Sequence, residues 1–133
     1  MSDQHTAKAY LKCGCPFSFK LVMFLAEAQL LDKVELIRVD ANSPEELDEY
    51  RDFLQAQTGR PASFPTVEIA PGDYMGDSDA LIEWFASQYQ VDETALPGLA
   101  YYKANLFPAY LAHYRELKAL KAAAPKVDKG QAE

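Results

Sequence analysis

The sequence has few of the residues that mark a metal centre or a nucleic-acid surface. Among its 133 residues are two cysteines and two isolated histidines, and these do not have the spacing of zinc ligands. Lysine and arginine number 13 against 20 acidic residues, which gives a net charge of -7, and the basic residues form no patch. We therefore expect no bound metal, and no nucleic acid or anionic membrane as a general partner.

Long apolar runs are also missing. No stretch approaches the roughly 20 residues of a membrane span, and the polar opening segment lacks the apolar region of a secretory signal. We therefore expect a cytoplasmic protein with no membrane association. In a reducing compartment Cys13 and Cys15 are poor candidates for a structural disulfide, and a bridge between them would close no long loop. Their closeness in the sequence favours a chemical role.

Hydrophobic periodicity predicts one compact domain in which strands and helices alternate. Pro16 suits the first turn of a helix, Ser43 is an N-cap in a capping box, and Gly59 ends the helix that Ser43 begins. The predicted elements, in order, are a strand at 7–12, a helix with apolar positions from 17 to 31, a strand at 34–39, a helix at 44–58, strands at 64–69 and 74–75, and a helix that the segment 76–79 opens, with apolar positions as far as 89. The order predicts an α/β fold with a mixed four-stranded sheet and flanking helices.

The pattern changes beyond Gln90. After a turn at Pro97 and Gly98, large side chains recur at helical spacing, namely Tyr102, Leu106, Tyr110, Tyr114 and Leu117. We expect a domain at residues 1–92 and a C-terminal helical extension at 93–133, with Pro108 near the start of its helix or kinking it. The extension should pack on the domain or on a second chain, and its small polar tail from residue 122 should be frayed.

Cys15 is the strongest candidate for chemistry, because it ends a strand and directly precedes Pro16 at a helix start. A thiolate is the reactive form of cysteine, and a helix N-terminus stabilises it through free N–H groups and the helix dipole. Lys12 can add a positive charge and Ser18 a hydroxyl donor. The competing interpretation is a small buried side chain, although packing does not explain the proline. Cys13 is either a strand-end residue or a resolving thiol.

Two further segments suit ligand binding. Pro65 stands at the start of a predicted strand, where a cis peptide bond would expose the backbone of Phe64 to a peptide-like ligand. In trans, the proline would only mark a sheet edge. The segment from Gly76 to Asp79 is at least an N-cap, and the same N–H groups can hold a carboxylate.

Together these residues resemble the glutaredoxins and the N-terminal domain of the glutathione transferases over roughly residues 7–90. Lys12 to Ser18 resembles the glutaredoxin motif Lys-x-x-Cys-Pro-Tyr-Cys, with Ser18 in place of the second cysteine. The resemblance implies a thioredoxin-like, glutaredoxin-type fold, glutathione as cosubstrate, Cys15 as nucleophile and Ser18 beside it. The implied glutathione contacts are Lys12 and Arg60 at the glycyl carboxylate, the backbone of Phe64 with Phe17 and Pro65 around it, and Asp77, Ser78 and Asp79 at the γ-glutamyl group.

This resemblance predicts a glutathione-dependent thiol-disulfide oxidoreductase that works by a monothiol route through Cys15. Its partners would be glutathione and glutathionylated proteins or small-molecule disulfides. The sequence leaves open whether the chain forms a homodimer. The first alternative is a glutathione-binding or transferase-like module that conjugates electrophiles. The second is an iron–sulfur carrier in which two chains share a cluster through Cys15 and glutathione, which Pro16 disfavours.

Overall fold

The computed structural model describes residues 5–123, which form four strands and five α-helices. These elements are β1 (Ala7–Lys12), α1 (Pro16–Glu27), β2 (Val34–Val39), α2 (Pro44–Thr58), β3 (Thr66–Ala70), β4 (Asp73–Gly76), α3 (Ser78–Tyr89), α4 (Pro97–Tyr101) and α5 (Phe107–Ala123). A π-helical turn, Tyr102–Leu106, joins α4 to α5. The tail expected to fray lies outside the described residues from position 124 onward.

The four strands form one mixed sheet in the order β2-β1-β3-β4. β1 and β2 are parallel because α1 connects them, whereas β3 pairs antiparallel with both β1 and β4. In this register Ala9 lies between Leu36 of β2 and Val67 of β3. The predicted mixed four-stranded sheet with flanking helices is confirmed, and the topology is thioredoxin-like.

The helix boundaries follow the local sequence signals. Pro16 occupies the first turn of α1, and the hydroxyl of Ser43 accepts a hydrogen bond from the backbone N–H of Glu46 at the start of α2. Gly59 ends α2 with φ 74°, a conformation that glycine adopts without steric cost. The helix expected to carry apolar positions as far as residue 31 ends at Glu27, and Leu31 begins a separate 3-10 turn.

The main core lies between the sheet and helices α1 and α3. Its fully buried members include Leu21 and Phe24 of α1, Phe85 of α3 and Val67 of β3. Side chains alternate along a strand, so Tyr10 faces the opposite side of the sheet. There its ring lies 5.8 Å from that of Phe53 on α2. Each face of the sheet is therefore covered, and the carboxyl end of β1 is held against the start of α1.

The C-terminal helices are attached to α1 by a capping contact. The carboxylate of Glu27 accepts hydrogen bonds from the backbone N–H groups of Gly98, at 2.7 Å, and Leu99, at 2.8 Å. These are N–H groups of the first turn of α4, which have no acceptor within their own helix. A Cβ atom at Gly98 would lie 3.0 and 3.1 Å from the Glu27 oxygens, so glycine permits this close approach. Leu99 is buried in the main core.

The π-helical turn changes which residues of the C-terminal segment face the domain. Leu106, Tyr110 and Leu117, expected on the packed face, are largely exposed. After Tyr102 the inward residues are Phe107, Leu111 and Tyr114. The π-helical turn has five residues where an α-helical turn has about four, so the next inward position after Tyr102 is Phe107 and not Leu106. Pro108 lacks the N–H that a regular α-helix would require just after this turn. The four-residue spacing of the sequence therefore predicted Tyr102 and Tyr114 correctly but placed Leu106, Tyr110 and Leu117 on the packed face wrongly.

Within the part of the chain that the structure describes, no helix is both long enough and apolar enough to cross a membrane.

Candidate active site

Cys15 is the N-cap residue of α1, with φ -89° and ψ 125°, and its side chain is buried with 5% of the residue exposed. The Cys15 side chain makes no capping hydrogen bond, so the N–H groups of the first helical turn, which lack intrahelical acceptors, are available to a thiolate at this position. Its Sγ lies 3.9 Å from the carbonyl oxygen of Phe64. The Phe64–Pro65 peptide bond is cis, as predicted. The cysteine loop and the segment before β3 thus meet at one point.

Ser18 is buried below this loop. Its Oγ accepts a hydrogen bond from the backbone N–H of Lys12 at 3.1 Å. The serine therefore ties the last residue of β1 to the first turn of α1. It fixes the strand-to-helix turn in which Cys15 sits.

A cavity of about 230 Å³ opens beside Cys15 and carries several basic side chains. The residues that line it are Lys12, Cys15, Phe17, Arg51, Ala62, Ser63, Phe64, Tyr114 and Lys118. In a protein with a net charge of -7, this concentration of positive charge suits an anionic ligand. The structure thus brings together Lys12, Phe17 and Phe64 from the predicted glutathione contacts.

Other predicted contacts lie elsewhere. Arg60 is exposed and does not line this cavity, whereas Arg51 and Lys118, which the sequence analysis missed, do. Arg51 is itself exposed, but it stands four residues after Leu47 and three before Leu54, a helical spacing that could have identified it. Lys118 stands one helical turn after Tyr114 in α5, so the same kind of spacing could have identified it as well.

Asp77 and Asp79 line a separate cavity of about 520 Å³. Asp77 accepts a hydrogen bond from the backbone N–H of Asp79 and caps α3, whose first residue, Ser78, is buried. The Asp79 carboxylate pairs with the Nζ of Lys20 at 2.8 Å. Lys20 is buried and its Nζ lies 4.3 Å from the ring centre of Phe107, which is a cation–π distance. The start of α3 is therefore already held by an internal ion pair.

Cys15 also borders two other cavities. One, of about 210 Å³, is mainly apolar and lies between α1 and the C-terminal segment, lined by Gly14, Cys15, Pro16, Phe19, Tyr102, Leu106 and Tyr110. The other is about 140 Å³, and both Cys13 and Cys15 line it. Cys13 is exposed and Cys15 is buried, yet both thiols line this cavity.

Three tyrosines of the C-terminal segment contact the cysteine loop. The hydroxyl of Tyr102 donates to the carbonyl oxygen of Pro16 at 3.0 Å, and that of Tyr110 donates to Gly14 at 2.8 Å. Burial raises the pKa of Tyr102 to about 12, with repulsion from the Cys15 sulfur and from Tyr110 adding to it. The hydroxyl of Tyr114 accepts a hydrogen bond from the Nζ of Lys12 at 3.2 Å.

The sheet order, the cysteine at the start of α1 and the cis-proline before β3 define a thioredoxin-fold thiol protein. A sequence model of the glutathione S-transferase N-terminal domain matches residues 14–88, which is more than half of the chain. The chain therefore belongs to this family. Among curated protein sequences none matches significantly.

Solved structures with a similar fold include transferases and a glutaredoxin. Glutathione transferase Omega 3C from Trametes versicolor is 17% identical with a TM-score of 0.50, over 65% of this chain and 34% of that one. An epsilon-class glutathione S-transferase from the housefly Musca domestica is 22% identical with a TM-score of 0.50, over 75% and 47%. Oxidized glutaredoxin 2 from Chlamydomonas reinhardtii is 21% identical with a TM-score of 0.48, over 71% and 82%. The chain thus spans less than half the length of these transferases.

Proposed function

We propose that this protein is a glutathione-dependent thiol-disulfide oxidoreductase that uses Cys15 alone as its nucleophile. The observation that carries the proposal is the placement of Cys15 at the N-cap of α1, on the wall of a cavity with several basic side chains. The helix start favours the thiolate, and the basic residues suit the carboxylates of glutathione.

The reaction has two exchange steps. The Cys15 thiolate attacks the glutathione sulfur of a mixed disulfide, a new Cys15–glutathione disulfide forms, and the substrate leaves as its thiolate, which takes a proton. The thiolate of a second glutathione then attacks the glutathione sulfur on Cys15, which releases oxidised glutathione and restores the Cys15 thiolate. Ser18 replaces the usual second cysteine, so this route needs no partner thiol at that position.

A transferase-like activity is the second candidate, and the apolar cavity favours it. Cys15 lies between the basic cavity and the apolar cavity lined by Phe19 and Tyr102. This arrangement suits glutathione on one side of the sulfur and an apolar electrophile on the other. The C-terminal segment would supply the electrophile pocket.

Turnover of a small glutathione mixed disulfide, coupled to reduction of the oxidised glutathione formed, tests the first proposal. We expect Cys15→Ser to abolish turnover and the low-pH phase of alkylation. The matched variant Cys13→Ser should keep most of both, because Cys13 is exposed and lies before the capping position.

Other outcomes discriminate among the alternatives. Conjugation of a chromogenic electrophile without disulfide turnover would replace the oxidoreductase proposal with the transferase one. Brown colour after anaerobic purification would support the iron–sulfur carrier. Activity lost in Cys13→Ser and kept in Cys15→Ser would move the site to Cys13.

A further inference from the structure

Of the three tyrosine hydroxyls at the cysteine loop, that of Tyr114 donates to no other group among the residues that the structure describes. Tyr102 and Tyr110 donate their protons to the carbonyl oxygens of Pro16 and Gly14. Tyr114 differs, because its oxygen accepts a hydrogen bond from Lys12. A lysine ammonium has donors and no acceptor, so the Tyr114 proton must point away from Lys12.

Cys15 is the acceptor that fits this proton. Tyr114, Lys12 and Cys15 line the same cavity. Burial raises the pKa of Tyr114, and the charge of the nearby Cys15 sulfur raises it further. A tyrosine hydroxyl is protonated at neutral pH, so Tyr114 can donate its proton to the Cys15 thiolate.

From this geometry we infer that Tyr114 of the C-terminal helix donates a hydrogen bond to the Cys15 thiolate and is itself oriented by Lys12. Lys12 then acts on the sulfur through the tyrosine, and α5 becomes part of the reacting site. The matched family domain ends at residue 88, so this donor lies outside it. The inference deepens the proposed function, since it names a further residue of the same site.

The donor should appear in the pH dependence of alkylation by iodoacetamide, which requires no glutathione. In Tyr114→Phe we expect the midpoint of the rate–pH curve for Cys15 to rise by about one pH unit, a roughly tenfold loss of thiolate below both midpoints. Other charged or titratable groups face Cys15 and stay in place in this variant, namely Lys12, Cys13, Arg38, Arg51, Tyr102, Tyr110 and Lys118.

Two tyrosine variants serve as controls. Tyr101 is 68% exposed and lines none of the cavities at Cys15, so Tyr101→Phe should leave the midpoint unchanged. Tyr110, on the same helix as Tyr114, tethers Gly14, so Tyr110→Phe should lower the melting temperature and move the midpoint less than Tyr114→Phe does. An unchanged midpoint in folded Tyr114→Phe overturns the inference, and so does an equal shift in Tyr110→Phe.

A second measurement covers the case in which Tyr114→Phe does not fold. The ionisation of Tyr114, followed by NMR of labelled tyrosine rings, should move to lower pH in Cys15→Ser, because the neighbouring thiolate is gone. An unchanged Tyr114 titration contradicts the inference. Neither readout depends on disulfide turnover, so the proposed function can fail while the role of Tyr114 stands.

Discussion

At the scale of single residues, the basic side chains around Cys15 differ in what they can reach. Both Arg51 and Arg60 are exposed, but Arg51 lines the cavity with Cys15, whereas Arg60, which the family resemblance implied for the glycyl carboxylate, lies outside its lining. A guanidinium binds a carboxylate through two parallel hydrogen bonds, so an arginine contributes to ligand binding only if it lies beside the carboxylate. The two arginines therefore form a natural pair for comparison.

We expect Arg51→Gln to raise the KM for glutathione about tenfold, which corresponds to roughly 1.4 kcal/mol for one lost charge-assisted contact. Arg60→Gln removes the same charge from the protein and should change KM less than twofold. Steady-state disulfide turnover at varied glutathione concentration measures both. A larger effect at Arg60 would restore the assignment that the sequence predicted.

At the scale of elements, local signals predicted most of the fold. Pro16, Ser43 and Gly59 fixed helix boundaries because capping depends on nearby residues alone. The cavity lining was harder to predict, because helical spacing shows which residues share a face, whereas tertiary packing brings Arg51 and Tyr114 to the same cavity as Cys15. The π-helical turn also escaped the sequence analysis, since hydrophobic spacing assumes an unbroken α-helical period.

Glu27 is the residue on which the attachment of α4 depends most directly. Its carboxylate accepts from two N–H groups at the start of α4, so Glu27→Ala would leave both donors without their acceptor. Charge-assisted caps of this kind contribute about 1–3 kcal/mol. We expect the free energy of unfolding to fall by about 2 kcal/mol, measured by urea denaturation.

The matched control for Glu27 is Glu83→Ala, which also removes a carboxylate from a helix of the domain. Glu83 is exposed, and we expect a change within about 0.5 kcal/mol. Equal losses in the two variants would show that charge, and not the cap on α4, explains the effect.

At the scale of the whole molecule, the C-terminal segment completes both the core and the site. Leu99 is 1% exposed within the main core, and Tyr102 packs its ring 5.0 Å from that of Phe19 on α1. The same segment brings Tyr110 and Tyr114 to the cysteine loop. The family domain and the helices that follow it are therefore coupled, and loosening the helices should affect stability and Cys15 together.

Leu99→Ala tests this coupling against Leu120→Ala, since both leucines belong to the C-terminal helices but only Leu99 is buried. Truncation of a buried leucine costs about 2–5 kcal/mol, so we expect Leu99→Ala to lower the melting temperature by roughly 10 °C or more. Leu120 is 62% exposed, and its truncation should shift the melting temperature by less than about 2 °C.

Deletion from Pro97 onward should lower stability further or cause aggregation. Cys15, which is 5% exposed in the intact protein, should become more accessible to alkylation. If the deletion left the melting temperature and the solution behaviour unchanged, the C-terminal helices would not contribute to the stability of the domain, and their contacts with the cysteine loop would not stabilise it.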